Sequence, residues 1–214
     1  MNKAEKYYDK KYWEEYQGPT AEAAGVLEKF KFERLIEETD TVLDFGCGGG
    51  YILANLACEK KMGVEINDYA RAVAEKNSIE CYRDLDEVTA ESVDIIISNH
   101  TLEHTLHPAS IIKKMHNVLK RSGKAICVVP CEQVHEPHFP YKSKNKSQHL
   151  FNWTPMTLGN LFNVCGFSIL SADIIVHQFA PNYEARYKDP LFHQECIDKA
   201  IANKNLQVCV VAEK

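Results

Sequence analysis

Several features are missing from this 214-residue chain, and each absence removes a class of function. No apolar run approaches the roughly 18 residues that a membrane-spanning helix needs. The opening stretch, Met-Asn-Lys-Ala-Glu-Lys-Tyr-Tyr, carries no apolar core of a secretory leader, so the expected location is cytoplasmic. Basic residues do not dominate. The formal net charge is −5, which argues against a broad nucleic-acid-binding face. Eight cysteines (47, 58, 81, 127, 131, 165, 196 and 209) include no C-x-x-C pair and no disulfide-framework spacing. They read as reduced, buried thiols. Internal repeats and low-complexity tracts are lacking as well.

What is present has the balance of an ordinary globular domain, with 45% hydrophobic and 26% charged residues. The first forty residues form a predicted helical cap. Lys6 to Tyr16 is dense in aromatics, Gly18-Pro19 reads as a break, and Thr20 is the expected N-cap of a helix reaching about Glu38. From residue 41 strands and helices alternate. Strands are expected near 41–45, 61–65, 79–83, 93–98, 123–130, 168–176 and 206–212. Helices are expected near 50–58, 68–77, 109–120, 155–165 and 190–203. This alternation predicts an α/β, Rossmann-like doubly wound sheet in one unit from 41 to 214.

The sharpest motif is Thr41-Val-Leu-Asp-Phe-Gly-Cys-Gly-Gly-Gly50, a buried strand breaking into a glycine turn and then a helix. Glycines there let the backbone approach a ligand closely. Counting from Gly46, the third glycine of a dinucleotide fingerprint falls on Tyr51. This disfavours an NAD-dependent oxidoreductase. No Lys-Ser or Lys-Thr follows, so the Walker pattern is absent too. An acidic residue, Glu65, ends the next strand, where a carboxylate accepts both ribose hydroxyls of an adenosine.

On these residues the chain resembles the class I S-adenosylmethionine (SAM)-dependent methyltransferases, from about Thr41 to the C-terminus. The resemblance implies a seven-stranded sheet whose last strand inserts antiparallel. It implies that Asp44, Phe45, Gly46, Cys47 and Gly48 hold the methionine part and the ribose, and that Glu65 and Ile66 take the ribose and adenine. Asp84 and Leu85 occupy the adenine-reading position, where Asp86 and Glu87 compete. Asn99 and His100, after the fourth strand, fall next to the sulfonium.

Leu102-Glu103-His104 and His107-Pro108 resemble the Leu-Glu-His turn of the family. His100, Glu103 and His104 would share one face if the segment were helical, as metal ligands must. H-x-x-E-H also occurs in zinc peptidases, but here it follows a buried strand of a nucleotide fold. It is closer to metal-assisted O-methyltransferases, among them quinone-biosynthesis and small-RNA 3′-terminal ribose enzymes, with His149 resembling their later histidine. His100 replaces a glutamate of that pattern. The candidate set His100, Glu103, His104 and His149 therefore suits a divalent transition metal better than Mg²⁺. The competing reading is that Glu103 and His104 only brace the loop.

The long polar connection 131–150 is an expected lid over the acceptor. Within it His135 and His138 are general-base candidates, alongside His149 and His104. Lys142, Lys144 and Lys146 form a solvated face or steer an anionic substrate. The reading is a SAM-dependent methyltransferase acting on a small-molecule hydroxyl (sugar, polyketide or phenol-like). A metal-dependent RNA 3′-terminal ribose methyltransferase and a non-catalytic SAM-binding partner subunit are its rivals.

Overall fold

The computed structural model describes residues 8–131, 141 and 148–214. Seven strands form one sheet: β1 (Thr41–Phe45), β2 (Lys60–Val64), β3 (Glu80–Tyr82), β4 (Val93–Asn99), β5 (Leu119–Pro130), β6 (Ser168–Val176) and β7 (Leu206–Glu213). Their order is β3-β2-β1-β4-β5-β7-β6. Strands β1 to β5 pair in parallel, while β7 runs antiparallel to both β5 and β6. Chain direction reverses its progress across the sheet between β1 and β4. That switch point opens a crevice at the carboxyl ends of these two strands, where ligands of open α/β sheets bind.

Period-2 alternation splits the strands between two cores. Leu43, Ile96, Cys127 and Val129 pack in one core with Ile112, Met115, Leu158 and Phe162. Val42, Ile95, Ile97, Ile126 and Val128 pack in the other with Phe32, Leu53 and Ala74. The helices that cover the two faces are α1 (Gly18–Glu28), α2 (Tyr51–Ala54), α3 (Asp68–Lys76), α4 (Pro108–Val118), α5 (Pro155–Val164), α6 (Tyr183–Arg186) and α7 (Phe192–Ala202). Helix α3 starts on Asn67, whose side chain accepts from the backbone of Tyr69 and Ala70. Helix α5 starts on a Thr154–Thr157 capping box.

The N-terminal segment departs from expectation. Gly18-Pro19 does not break the chain. Lys10–Tyr12, a π-helical turn Trp13–Gln17 and α1 follow one another without interruption. The π turn sends the Gly18 N–H back to Trp13 O, which makes room for the proline ring inside the spiral. A Cβ on Gly18 would lie 2.9 Å from that oxygen, so only glycine permits the approach. Thr20 is consequently inside the helix, donating to Gln17 O at 3.3 Å. Helix α1 ends at Glu28, ten residues before the predicted Glu38, and 3₁₀ turns Lys29–Lys31 and Glu33–Leu35 carry Phe32 into the core. Helix α2 is a single turn rather than the expected 50–58.

Candidate active site

The crevice is built first from the turn after β1. Gly46, at φ +82°, lies so close to Thr101 that a Cβ would stand 2.2 Å from its Oγ1. Backbone N–H groups of Gly46 and Cys47 donate to Val64 O at 2.8 and 3.2 Å, locking the turn onto β2. Glu65 completes the lock. Its Oε2 accepts from Gly48 N and its Oε1 from Asn67 N, both at 2.8 Å. A carboxylate offers about four lone-pair sites, so two remain for ribose hydroxyls. Burial pushes the Glu65 carboxyl up, against the pull of those backbone donors.

Asp44 lies below this turn, buried, with Oδ1 lacking any partner among the described residues. Burial, reinforced by the neighbouring Glu65, pushes its carboxyl up to about 8. A cationic group supplied by a ligand would relieve both costs.

A cavity of about 470 Å³ opens over the turn, lined by Phe45, Gly46, Glu65, Ile66, Asp84, Asn99, His100 and His104. Tyr8 and Tyr12 from the N-terminal aromatic stretch also line it, as do Arg83, Thr101 and Lys114. Asp84 caps the 3₁₀ turn Leu85–Glu87 and pairs with Lys114 Nζ at 2.8 Å. Leu85 points away from ligand space and is buried in the core at 2% exposure. Cys47 is buried too, its thiol directed to Gly48 O.

The turn after β4 gathers the histidines, though not on a helical face. His100 adopts φ +53°, and the short helix Leu102–His104 is 3₁₀. Nonetheless His100 Nδ1 lies 3.6 Å and His104 Nε2 3.8 Å from Glu103 Oε1, with Glu103 fully buried. Burial alone would raise the Glu103 carboxyl, but His100 and His104 outweigh it and hold it below the ordinary range. Burial, with His149 acting in the same direction, depresses His104. Ligand atoms of Glu103, His104 and His149 all lie within 4.8 Å of one another, and His100 is not in that set. Three of the four expected ligands therefore converge. Both Glu103 oxygens and His104 Nδ1 are buried without a hydrogen-bond partner among the described residues, a donor set that a divalent cation would satisfy.

A second cavity of about 380 Å³ is lined by Glu28, His149, His177, Gln207 and again His100. Cys131 and His149, which flank most of the expected lid, both border it. The lid residues His135, His138, Lys142, Lys144 and Lys146 lie outside the described residues. Sequence reading missed Glu28, Lys31 and His177 altogether. Lys31 Nζ sits 3.3 Å from Glu28 Oε2 and donates to Asn99 Oδ1 at 3.0 Å, tying α1 to the end of β4. A Glu and a Lys three residues apart on a helix ordinarily signal a solvated pair, so no pattern in the sequence marks these two.

Strand order, switch-point crevice and the Glu65-braced glycine turn define a nucleoside-binding α/β protein of the Rossmann-like group. Residues 12–172 match the methyltransferase domain family, and the chain belongs to it, as a class I methyltransferase whose cofactor is S-adenosylmethionine. Among curated proteins the chain is similar to the ubiquinone biosynthesis O-methyltransferase of Paraburkholderia xenovorans, 32% identical over 96 residues. The match covers 39% of this chain and 41% of that protein. Its counterpart in Nitrosomonas europaea is 30% identical over 95 residues, 39% and 40% of the two chains. The chain thus spans about two-fifths of the length of the curated relatives it matches.

The fold is shared more widely. A methyltransferase of Haloferax volcanii, solved in complex with the Trm112 activator, superposes with TM-score 0.70 at 18% identity, covering 95% of this chain and 94% of that one. A possible histamine N-methyltransferase of Thermotoga maritima gives 0.67 at 17% identity, covering 95% and 97%. Among the described residues no helix is long and apolar enough to cross a membrane.

Proposed function

We propose that the protein transfers the methyl group of SAM to a hydroxyl oxygen of a small molecule. One observation carries this reading: His100 lines both cavities, so a sulfonium in the first and an acceptor in the second would meet at its side chain. The names of the curated relatives support oxygen as the acceptor atom. The acceptor oxygen attacks the methyl carbon in line, a C–O bond forms, and the S–C bond breaks. Its electrons stay on sulfur, leaving neutral S-adenosylhomocysteine. The hydroxyl proton goes to a base. His149, at the rim of the acceptor cavity and 4.9 Å ring-to-ring from His104, is that base. Because the sulfonium already activates the methyl, the protein's remaining task is alignment and exclusion of water.

The test is transfer of labelled methyl from SAM to hydroxylated acceptors by wild type and His149→Ala. Loss of a general base should lower kcat by roughly 10²–10⁴-fold without weakening S-adenosylhomocysteine binding. Full kcat in the variant would remove His149 from the reaction, and no cofactor binding by wild type would sink the reading itself.

A metal-assisted version has its own support, the convergence of Glu103, His104 and His149 around the fully buried Glu103 carboxylate. One carboxylate and two imidazoles suit Zn²⁺, Fe²⁺, Mn²⁺ or Co²⁺ better than Mg²⁺. Such an ion acidifies a bound hydroxyl. The three residues would hold it, and the Leu150 N–H donating to Glu103 O keeps their two segments together.

A further inference from the structure

Two buried polar atoms at the second cavity have nothing to bond to. His177 and Gln207, at 2% and 4% exposure, both line it, and His177 Nε2 and Gln207 Oε1 lack partners among the described residues. Their surroundings explain which chemistry is left over. His177 Nδ1 faces Glu28 Oε1 at 3.6 Å, so Nδ1 is the nitrogen placed to donate toward the carboxylate, and Nε2 is the end turned to a ligand. Phe30, Phe179 and His193 pack around its ring. Gln207 spends its Nε2 donor on His177 O at 3.2 Å, so its carbonyl is the unused end.

A buried acceptor left unpaired is costly, and a ligand that ends both deficits must bring hydrogen-bond donors. Ammonium and hydroxyl groups both qualify, and charge separates them. Among the described residues Glu28 is the carboxylate of this wall, and it is already neutralised by Lys31 at 3.3 Å, whose side chain is fully buried. Asn99 Nδ2 donates to the same Glu28 oxygen. With that charge balanced, the described residues of this wall offer no excess attraction to a cation. Several hydroxyls on one neutral molecule would serve the imidazole, the amide and the reacting position at His100 together.

Building on the methyl-transfer reading above, we propose that this cavity binds a neutral polyhydroxylated acceptor, a sugar ring or polyol, through His177 and Gln207.

Calorimetry on the full chain saturated with S-adenosylhomocysteine tests this, with methyl α-glucopyranoside, myo-inositol, catechol and benzylamine as probes. The polyols should bind, and catechol and benzylamine about tenfold more weakly or not at all, since catechol has two hydroxyls for three positions and benzylamine brings unmatched charge. Gln207→Leu and His177→Phe should each weaken polyol binding about tenfold with S-adenosylhomocysteine affinity unchanged. Should either variant misfold, the wild-type ranking of the four probes decides by itself. Catechol or benzylamine binding best, or no probe binding, overturns the polyol class. Polyol binding unaltered in folded variants removes His177 and Gln207. Failure of wild type to bind S-adenosylhomocysteine would instead strike the methyl-transfer reading, so the two failures are distinguishable.

Discussion

Leu150 donates its backbone N–H to the Glu103 carbonyl at 2.8 Å, and this bond carries His149 to the side of His104. Forty-seven positions apart in number, the two segments are pinned together where the return from 131–150 reaches the turn after β4. Much of the site's chemistry depends on that pin.

If Glu103, His104 and His149 hold a cation, Zn²⁺ or Mn²⁺ should raise the Tm of wild type. A ligand at about 100 times its Kd adds about 2.7 kcal/mol. Glu103→Ala and His149→Ala should lose the response. Protein purified without a His-tag and assayed in chelator gives the check. Full activity there, with no Tm response, would leave only the bracing role.

Glu65→Ala should weaken S-adenosylhomocysteine binding by about 1.5–3 kcal/mol, the range for hydrogen bonds to a charged group. It also releases Gly48 N and Asn67 N from their shared acceptor. Unchanged calorimetric affinity would withdraw Glu65 from the cofactor site.

Asp44 makes stability depend on pH in a stated direction. Its carboxyl is raised in the folded protein to about 8, from an ordinary value of 3.8. Between those values the unfolded chain has lost the proton and the folded one keeps it. The stabilising contribution is therefore full below the lower value and fades as pH rises toward the upper one, by up to about 1.4 kcal/mol per unit. Asp44→Asn should flatten the fall of Tm over that window. Parallel Tm curves for wild type and variant would refute the assignment. A cationic group brought by the cofactor should lower the same pKa, so proton release on SAM binding near neutral pH is expected. Calorimetry in buffers of different ionisation enthalpy measures it.

Lys31→Met should destabilise the fold by about 3–5 kcal/mol, because it strands Glu28 as an uncompensated buried charge. Adding Glu28→Leu should recover much of the loss. Chemical denaturation of the single and double variants decides, and a single variant as stable as wild type would show that Lys31 does not offset Glu28.

The strand pattern was readable from the sequence because buried strands leave near-continuous apolar runs such as Val93-Asp-Ile-Ile-Ile. Helix α2 was over-read, because Tyr51 to Cys58 has apolar content enough for a longer helix but only one turn forms before the chain drops toward β2. Gly18-Pro19 misled for a related reason. Propensity marks it as a break, and a π turn with close backbone approach absorbs it.

By itself the sequence determined the seven-stranded order of elements, the glycine turn and the acidic residue ending β2. These features are local, written in periodicity and in residues that few alternatives can replace. Only tertiary structure decided what surrounds the ligand space. Glu28, Lys31, Asn99 and His177 meet from three distant segments, and His100 stands between two cavities that no single stretch of sequence encloses. Spacing along the chain carries no record of such meetings, because they are made by the sheet's crossover and by the packing of α1 against it. Likewise His100, Glu103 and His104 come together through a left-handed residue and a 3₁₀ turn, a geometry that helical spacing does not foretell.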